Sequence, residues 1–173
     1  TRMGWIRAVD GISFDLCRGE ALGIVGESAC GKSSLAFSIL RVLPPNGRII
    51  DGQVLLDGLD LIKLSEEEMR RIRGNRISMI FQSAMNALNP VYGIADQLIE
   101  ALRAKENVSE KEARDRVGDL FKIVGIESSR MNNYPHEFSG GMKQRAIIAL
   151  SLLCNPDLMI ADEPTTALDV VVQ

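Results

Sequence analysis

The tightest constraint in this chain is an apolar run, a glycine-rich loop and a helix-forming run that follow one another without a gap. Ala21 to Val25 is wholly apolar, the pattern of a strand buried on both faces. It leads directly into GESACGKSS, Gly26 to Ser34. Ser33 to Val42 then reads as a helix that stops ahead of Pro44 and Pro45. Gly26, Gly31, Lys32 and Ser33 meet the GxxxxGK[ST] spacing, and the strand–loop–helix setting gives that match its weight. Successive amides at a helix N-terminus can wrap a phosphate, Lys32 adds a point charge, and Ser33 Oγ suits a divalent cation. The expected anion-facing set is Gly26, Glu27, Ser28, Ala29, Cys30, Gly31, Lys32, Ser33 and Ser34. Ala29 stands where many such loops carry glycine, so its methyl group is expected to require a negative φ.

A second glycine-rich segment, FSGGMKQR, runs from Phe138 to Arg145. Ser139, Gly140 and Gly141 would open a helix expected from about Gly140 to Leu153, ending near Asn155-Pro156. The apolar run Leu158 to Ala161 is expected as a core strand, and it ends in Asp162 and Glu163. Side chains alternate along a strand, so the two acids point differently. One can hold the water shell of Mg²⁺ while the other faces an attacking water. Gln82 ends another buried-strand candidate, Ile77 to Phe81, where it can report a terminal phosphate or the metal.

Elsewhere the patterning is mixed. Ala8 to Leu16 alternates apolar and polar residues, as a half-exposed strand does. DGQVLLDG suggests a hairpin between Asp51-Gly52 and Asp57-Gly58. Ser65 with Glu68 forms a capping-box pattern, opening a short helix that stops at Gly74. From Ile94 to Val124 the period is helical, with Leu98, Leu102, Val117, Leu120, Phe121 and Val124 at three- and four-residue spacing. Ser109 and Glu112 repeat the capping box inside it, and Gly125 ends it.

With 173 residues, 46% of them hydrophobic, the chain can bury one real core but not two large ones. A net charge of -3 argues against a nucleic-acid-coating protein. The cluster Arg70, Arg71, Arg73 and Arg76 reads as a solvated helix face. No apolar run approaches the roughly 20 residues of a membrane span, and the N-terminal TRMGWIRAVDG lacks a signal-peptide core. Cys17, Cys30 and Cys154 are odd in number and widely spaced, which suggests a reducing compartment. A soluble, cytoplasmic protein is the expectation.

Together these segments resemble the nucleotide-binding subunits of ABC transporters, and most closely the ATPase subunits of oligopeptide and dipeptide importers. The resemblance runs through essentially the whole chain. It rests on AVDGISFDL (Ala8 to Leu16), GIVGESACGKSS (Gly23 to Ser34) and MIFQSAMNALNP (Met79 to Pro90). The segment from Tyr134 to Gln173, beginning YPHEFSGGMKQR, completes it. Against the family signature LSGGQ, Phe138 replaces leucine and Met142 replaces glutamine. The methionine is usual in the peptide branch, and the phenylalanine is expected to be absorbed by packing.

The resemblance implies an α/β fold: a P-loop NTPase with a RecA-like core, an antiparallel β subdomain and an inserted α-helical subdomain. Residues 1–91 would form the β subdomain and P-loop core, 92–155 the helical signature subdomain, and 156–173 the return to the core. It also implies ATP and Mg²⁺ as ligands, with two cassettes closing head-to-tail around two ATP molecules. Ser139, Gly140 and Gly141 would then contact the γ-phosphate of a partner's nucleotide. Glu163 would polarise water, Ser33, Gln82 and Asp162 would serve Mg²⁺, and Asp169 would cross the dimer interface. Gln82 would further couple the nucleotide site to the membrane subunits. Trp5 is the candidate for stacking on adenine, with Met3 and Ile6 as alternatives.

The implied partners are a second ATP-binding subunit, identical or different, integral membrane permeases and, indirectly, an extracellular solute-binding protein. No nucleic acid is expected. The implied location is peripheral, on the cytoplasmic face of the cell membrane. The family's switch histidine would lie beyond Gln173, and His136, in the YPHE segment, does not match that position. The segment before Trp5 also looks short of a first strand, so the chain is expected to be the interior of a longer cassette. On its own it is expected to hydrolyse ATP negligibly. The competing readings are a truncated cassette that binds nucleotide without turnover, and a non-transport ABC ATPase. The latter would carry a long coiled coil between its halves, and no such heptads occur here.

Overall fold

The computed structural model describes residue 4, residues 6–81 and residues 87–164. The chain forms two compact units, Thr1–Arg70 and Arg71–Gln173.

In the first unit the longest element is helix α1, Lys32–Leu40. It ends at Arg41, whose left-handed backbone (φ 52°) turns the chain so that the Val42 amide donates to the Phe37 carbonyl at 2.9 Å. A hairpin of β1, Leu55–Leu56, and β2, Leu59–Asp60, closes over Asp57 and Gly58. Both turn residues have positive φ, 48° and 81°, which suits the right-handed twist of paired strands. Helix α2, Glu66–Ile72, opens with the expected reciprocal cap. The Ser65 amide donates to Glu68 Oε2 at 2.7 Å and the Glu68 amide donates to Ser65 Oγ at 3.3 Å.

The second unit carries the core. Strand β3, Ile77–Ile80, pairs in parallel with β4, Leu158–Ala161, in the register Ile77 to Leu158 and Ile80 to Ala161. Between them in sequence lie α3, Ile94–Lys105, α4, Glu110–Ile123, and α5, Gly140–Leu152. The single periodic stretch from Ile94 to Val124, with its capping box at Ser109, thus becomes two helices, α3 and α4. Leu98, Leu102, Val117 and Phe121 are fully buried in one cluster, and Leu120 and Val124 pack against it. The Ser109 hydroxyl accepts from the Glu112 amide at 3.2 Å, which starts α4. Gly125 ends it at φ 69°, and the next amide, that of Ile126, donates back to Phe121 at 2.7 Å. Phe138 joins this cluster at 5% exposure, so its ring is absorbed by packing as expected.

Three strand expectations are corrected. Ala8 to Leu16 forms no ladder with any described residue, and Ile12, Phe14 and Leu16 are exposed. Ala21 to Val25, expected to be buried on both faces, is also unpaired, with Leu22, Ile24 and Val25 exposed. An apolar run becomes a core strand only where other segments pair with its edges and cover its faces. Among the described residues none pairs with 21–25. β4 does pair, but its residues are alternately half-buried and exposed, so it is not the fully buried strand its apolar sequence suggests. Among the described residues, no helix is long and apolar enough to cross a membrane.

Candidate functional site

The glycine loop of the first unit is shaped by contacts that only small or flexible residues permit. Gly31 precedes α1 with φ 103°, a conformation L side chains rarely adopt. A Cβ there would also collide with the Ala8 carbonyl oxygen. At Gly26 a Cβ would come within 2.7 Å of Cys30 Sγ. No side chain caps α1, and first-turn amides have no carbonyl four residues back to receive them. The helix start therefore presents N–H groups and the positive end of its dipole to an anion.

Lys32 lies across this loop. Its Nζ donates to the carbonyl oxygens of Gly26 at 2.8 Å and Glu27 at 2.7 Å, and lies 3.7 Å from Cys30 Sγ. The ammonium group is thus tied to the carbonyl oxygens of its own loop. Ala29 departs from expectation. Its φ is +64°, not negative, so its methyl group sits in the left-handed region. That conformation costs a residue with a Cβ roughly 1–2 kcal/mol relative to the right-handed form.

The acidic strand end belongs to the second unit. The ladder extends one bond past β4, with the Asp162 amide donating to the Ile80 carbonyl at 3.0 Å. At the other end of the pair, Arg76 Nε meets Asp157 Oδ2 at 2.7 Å, so both ends of the two strands are tied. Glu163 leaves the strand with φ +50°, left-handed like Ala29 although it is not glycine. Such conformations persist where surrounding contacts enforce them, and they gather at functional sites.

Ser139 starts α5 in extended conformation, and its hydroxyl accepts from the Met142 amide at 3.3 Å. That bond uses an oxygen lone pair and leaves the hydroxyl proton for an anion. Ser139 and Gly140 are exposed, so the signature faces outward at the helix N-terminus. Met142 packs on the core cluster beneath. Just upstream, the Tyr134 and His136 rings stack at 5.7 Å.

Of the predicted residues, the structure places Gly26 to Gly31 in the loop ahead of α1, Lys32, Ser33 and Ser34 in the first turn of that helix, and Asp162 and Glu163 at one strand end. Ser139, Gly140 and Gly141 gather at one helix start. Trp5, Gln82 and Asp169, and Met3 as an alternative to Trp5, lie outside the described residues. Ile6, the other alternative, is exposed. On the far side of the segment carrying Gln82, Asn89 is clamped by α3. The Asn89 amide donates to Gln97 Oε1 at 2.8 Å, and Gln97 Nε2 returns to the Asn89 carbonyl at 3.0 Å.

One polar residue escapes sequence reasoning. Gln144 sits among Lys143 and Arg145 and looks like solvated helix surface, yet it is 3% exposed. Its Nε2 donates to the Pro164 carbonyl at 2.6 Å. Only a polar residue on the buried face of α5 would have signalled this, and that face is set by packing.

Comparison with known proteins agrees with this arrangement. The ABC transporter family model matches residues 9–166. The dipeptide transport ATP-binding protein DppD of Bacillus subtilis is 53% identical over 173 residues, covering 98% of this chain and 52% of its own length. The oligopeptide transport ATP-binding protein OppD of Escherichia coli is 48% identical, covering 98% of this chain and 51% of its own. The chain therefore spans about half the length of the curated relatives it matches. Among solved structures, the dimeric bacterial ABC transporter cassette MJ0796 superposes with a TM-score of 0.82 at 30% identity. That match covers 95% of this chain and 69% of the other. The same cassette bound to ADP and phosphate gives 0.81. With a P-loop NTPase fold and a family match over most of its length, this chain belongs to the ABC transporter family.

Proposed function

We propose that this chain is the core of an ATP-hydrolysing subunit that powers an importer of oligopeptides or dipeptides. The observation that carries the reading is that one chain has two separate glycine-rich helix starts, each suited to an anion. One is the loop held by Lys32 and the other is the exposed Ser139-Gly140 start of α5. Two such sites on one chain suit a head-to-tail pair of subunits, in which each nucleotide is held by the loop of one copy and the signature of the other. The names of its relatives, dipeptide and oligopeptide transport ATP-binding proteins, supply the substrate class.

The donor set fits the ligands. Backbone amides and Lys32 suit polyphosphate oxygens, and the Ser33 hydroxyl and Asp162 carboxylate are the hard oxygen donors that Mg²⁺ takes. Bound Mg²⁺ would neutralise charge on the phosphate oxygens. Glu163 would accept the proton of the attacking water, and Ser139 would donate to the terminal phosphate of the partner's nucleotide. Gln82 belongs to the same proposal, as a metal-side residue coupling the site to permeases. The subunit would sit on the cytoplasmic face of the membrane, attached to permeases that receive peptide from a solute-binding protein.

The test uses the full-length protein with its permeases in vesicles. Peptide uptake that needs ATP, and that stops in Glu163→Gln, is expected. ATP hydrolysis without peptide-dependent uptake would remove the substrate assignment and leave the ATPase standing. A second reading applies to these 173 residues alone, nucleotide binding without turnover. The exposed Leu22, Ile24 and Val25 ahead of the loop favour it, because an uncovered apolar lead-in leaves the loop weakly held. Phosphate release from this chain equal to that of the full-length subunit would sink that reading.

A further inference from the structure

We infer that Gln144 is a positioning residue for Glu163, acting through the Pro164 carbonyl; the inference rests on the proposed ATPase. Gln144 is 3% exposed on α5, and a buried amide at such a position needs a hydrogen-bond partner. Its Nε2 donates to the Pro164 carbonyl at 2.6 Å, across 20 residues of sequence. That carbonyl belongs to the residue directly after Glu163.

Glu163 needs such support. On its N-terminal side, the Asp162 amide is fixed to the Ile80 carbonyl at 3.0 Å. Glu163 then turns with φ +50°, a conformation its side chain disfavours. With Asp162 held by the sheet and Pro164 held by Gln144, the intervening residue is pinned from both sides. Without the second tether the backbone at Glu163 loses its hold on the Pro164 side, and the carboxylate moves off its water.

The same helix begins at Ser139. Gln144 lies five residues further on, about 7 Å along the axis at the usual helical rise. The helix that offers Ser139 and Gly140 to one nucleotide therefore also steadies the acid that serves another. A small shift of α5 when the signature engages phosphate would be passed to Glu163 through a single hydrogen bond.

The experiment uses the full-length subunit. Gln144→Met keeps side-chain length and removes the donor. Its kcat is expected to fall about 10- to 100-fold, the scale of a misplaced reacting group. KM for ATP should stay within about twofold, since ground-state binding is untouched. Placed in a Glu163→Gln background, Gln144→Met should cause no further fall. Gln144→Glu adds a readout that bulk destabilisation does not produce. A buried glutamic acid donates to the Pro164 carbonyl only when protonated, so the rate of this variant relative to wild type should rise as pH falls. Wild-type kcat in Gln144→Met, an equal fall in the Glu163→Gln background, or a flat Gln144→Glu ratio would each overturn the inference.

Amide exchange at Glu163 separates this inference from the function it rests on. Faster exchange in Gln144→Met than in wild type is expected, and unchanged exchange would sink the tether while leaving the ATPase intact. Absence of ATP hydrolysis by the wild-type subunit would instead sink the proposed function, and the catalytic role of Gln144 with it.

Discussion

The Asp162 amide donates to the Ile80 carbonyl at 3.0 Å, so the parallel ladder of β3 and β4 reaches past its last paired residues to the first acid. The backbone of Asp162 is part of the sheet, while Glu163 is the first residue to leave it, in a left-handed turn. The two adjacent acids therefore stand on different footings, one held by the sheet and one turned out of it, which suits the static and chemical roles proposed for them.

Glu163→Gln in the full-length subunit should keep ATP affinity and lower the rate of hydrolysis by about 10²- to 10⁴-fold, the usual scale for a general base. Single-turnover phosphate release beside equilibrium nucleotide binding checks both halves.

Lys32→Ala removes a cation and also two hydrogen bonds that span the loop, to Gly26 and Glu27. Hydrogen bonds to charged groups contribute about 1.5–3 kcal/mol, so ATP affinity should fall roughly 10- to 100-fold. Calorimetry that finds unchanged affinity would remove Lys32 from the site.

Ala29→Gly should relieve a methyl group held at φ +64°. The native-state gain of about 1–2 kcal/mol is partly offset by the greater freedom of glycine in the unfolded chain, about 0.4–1 kcal/mol. A net gain of up to about 1.5 kcal/mol follows from that difference. Denaturant unfolding reads it, and a loss of stability would show that the methyl group makes a compensating contact.

Ser139→Ala removes the hydroxyl that caps α5. Helix stability should drop by about 1 kcal/mol, visible as a lower unfolding midpoint. Under the proposed function hydrolysis should fall by far more than that loss of stability explains, because the hydroxyl proton would also serve the partner's nucleotide. A stabilised variant that keeps Ser139→Ala and regains full activity would contradict the second role.

The three thiols should react unequally. Cys17 and Cys30 are exposed, whereas burial raises the pKa of Cys154, with the Glu106 carboxylate pushing the same way against Lys105 and Arg116. A raised thiol pKa keeps the reactive thiolate scarce until higher pH. At pH 8, iodoacetamide should label Cys17 and Cys30 before Cys154, and bound ATP should slow labelling of Cys30 alone. The same raised pKa means that the stability contributed by the neutral Cys154 thiol is present below its unfolded-state pKa and is lost as pH rises through the folded one. Mass spectrometry of labelled peptides as a function of pH tests the order.

What was legible in the sequence was what is decided locally. Ser65 with Glu68 and Ser109 with Glu112 place their caps within a four-residue span; the first closes in both directions, and in the second the Ser109 hydroxyl caps the Glu112 amide while the Glu112 carboxylate accepts from Arg116. Asp57-Gly58 carries its own turn geometry, and Leu98, Leu102, Val117 and Phe121 mark a buried face by spacing alone. The Gly26 to Ser34 loop is legible for the same reason, since glycine spacing and one lysine specify a contact over nine residues.

Strands are not decided this way. Ala21 to Val25 and Ile77 to Ile80 look alike as apolar runs, yet only the second finds a partner among the described residues, because pairing depends on a segment eighty residues away. The left-handed turns at Ala29 and Glu163 likewise have no signature in residue type. The sequence by itself determined the family, the glycine-rich loop ahead of α1, the acidic pair at a strand end and the helix starts, since each is written in neighbouring residues. Only the tertiary structure decided that Gln144 is buried and bonded to Pro164 beside Glu163. A glutamine becomes a tether only when packing removes it from water and brings a distant carbonyl within reach.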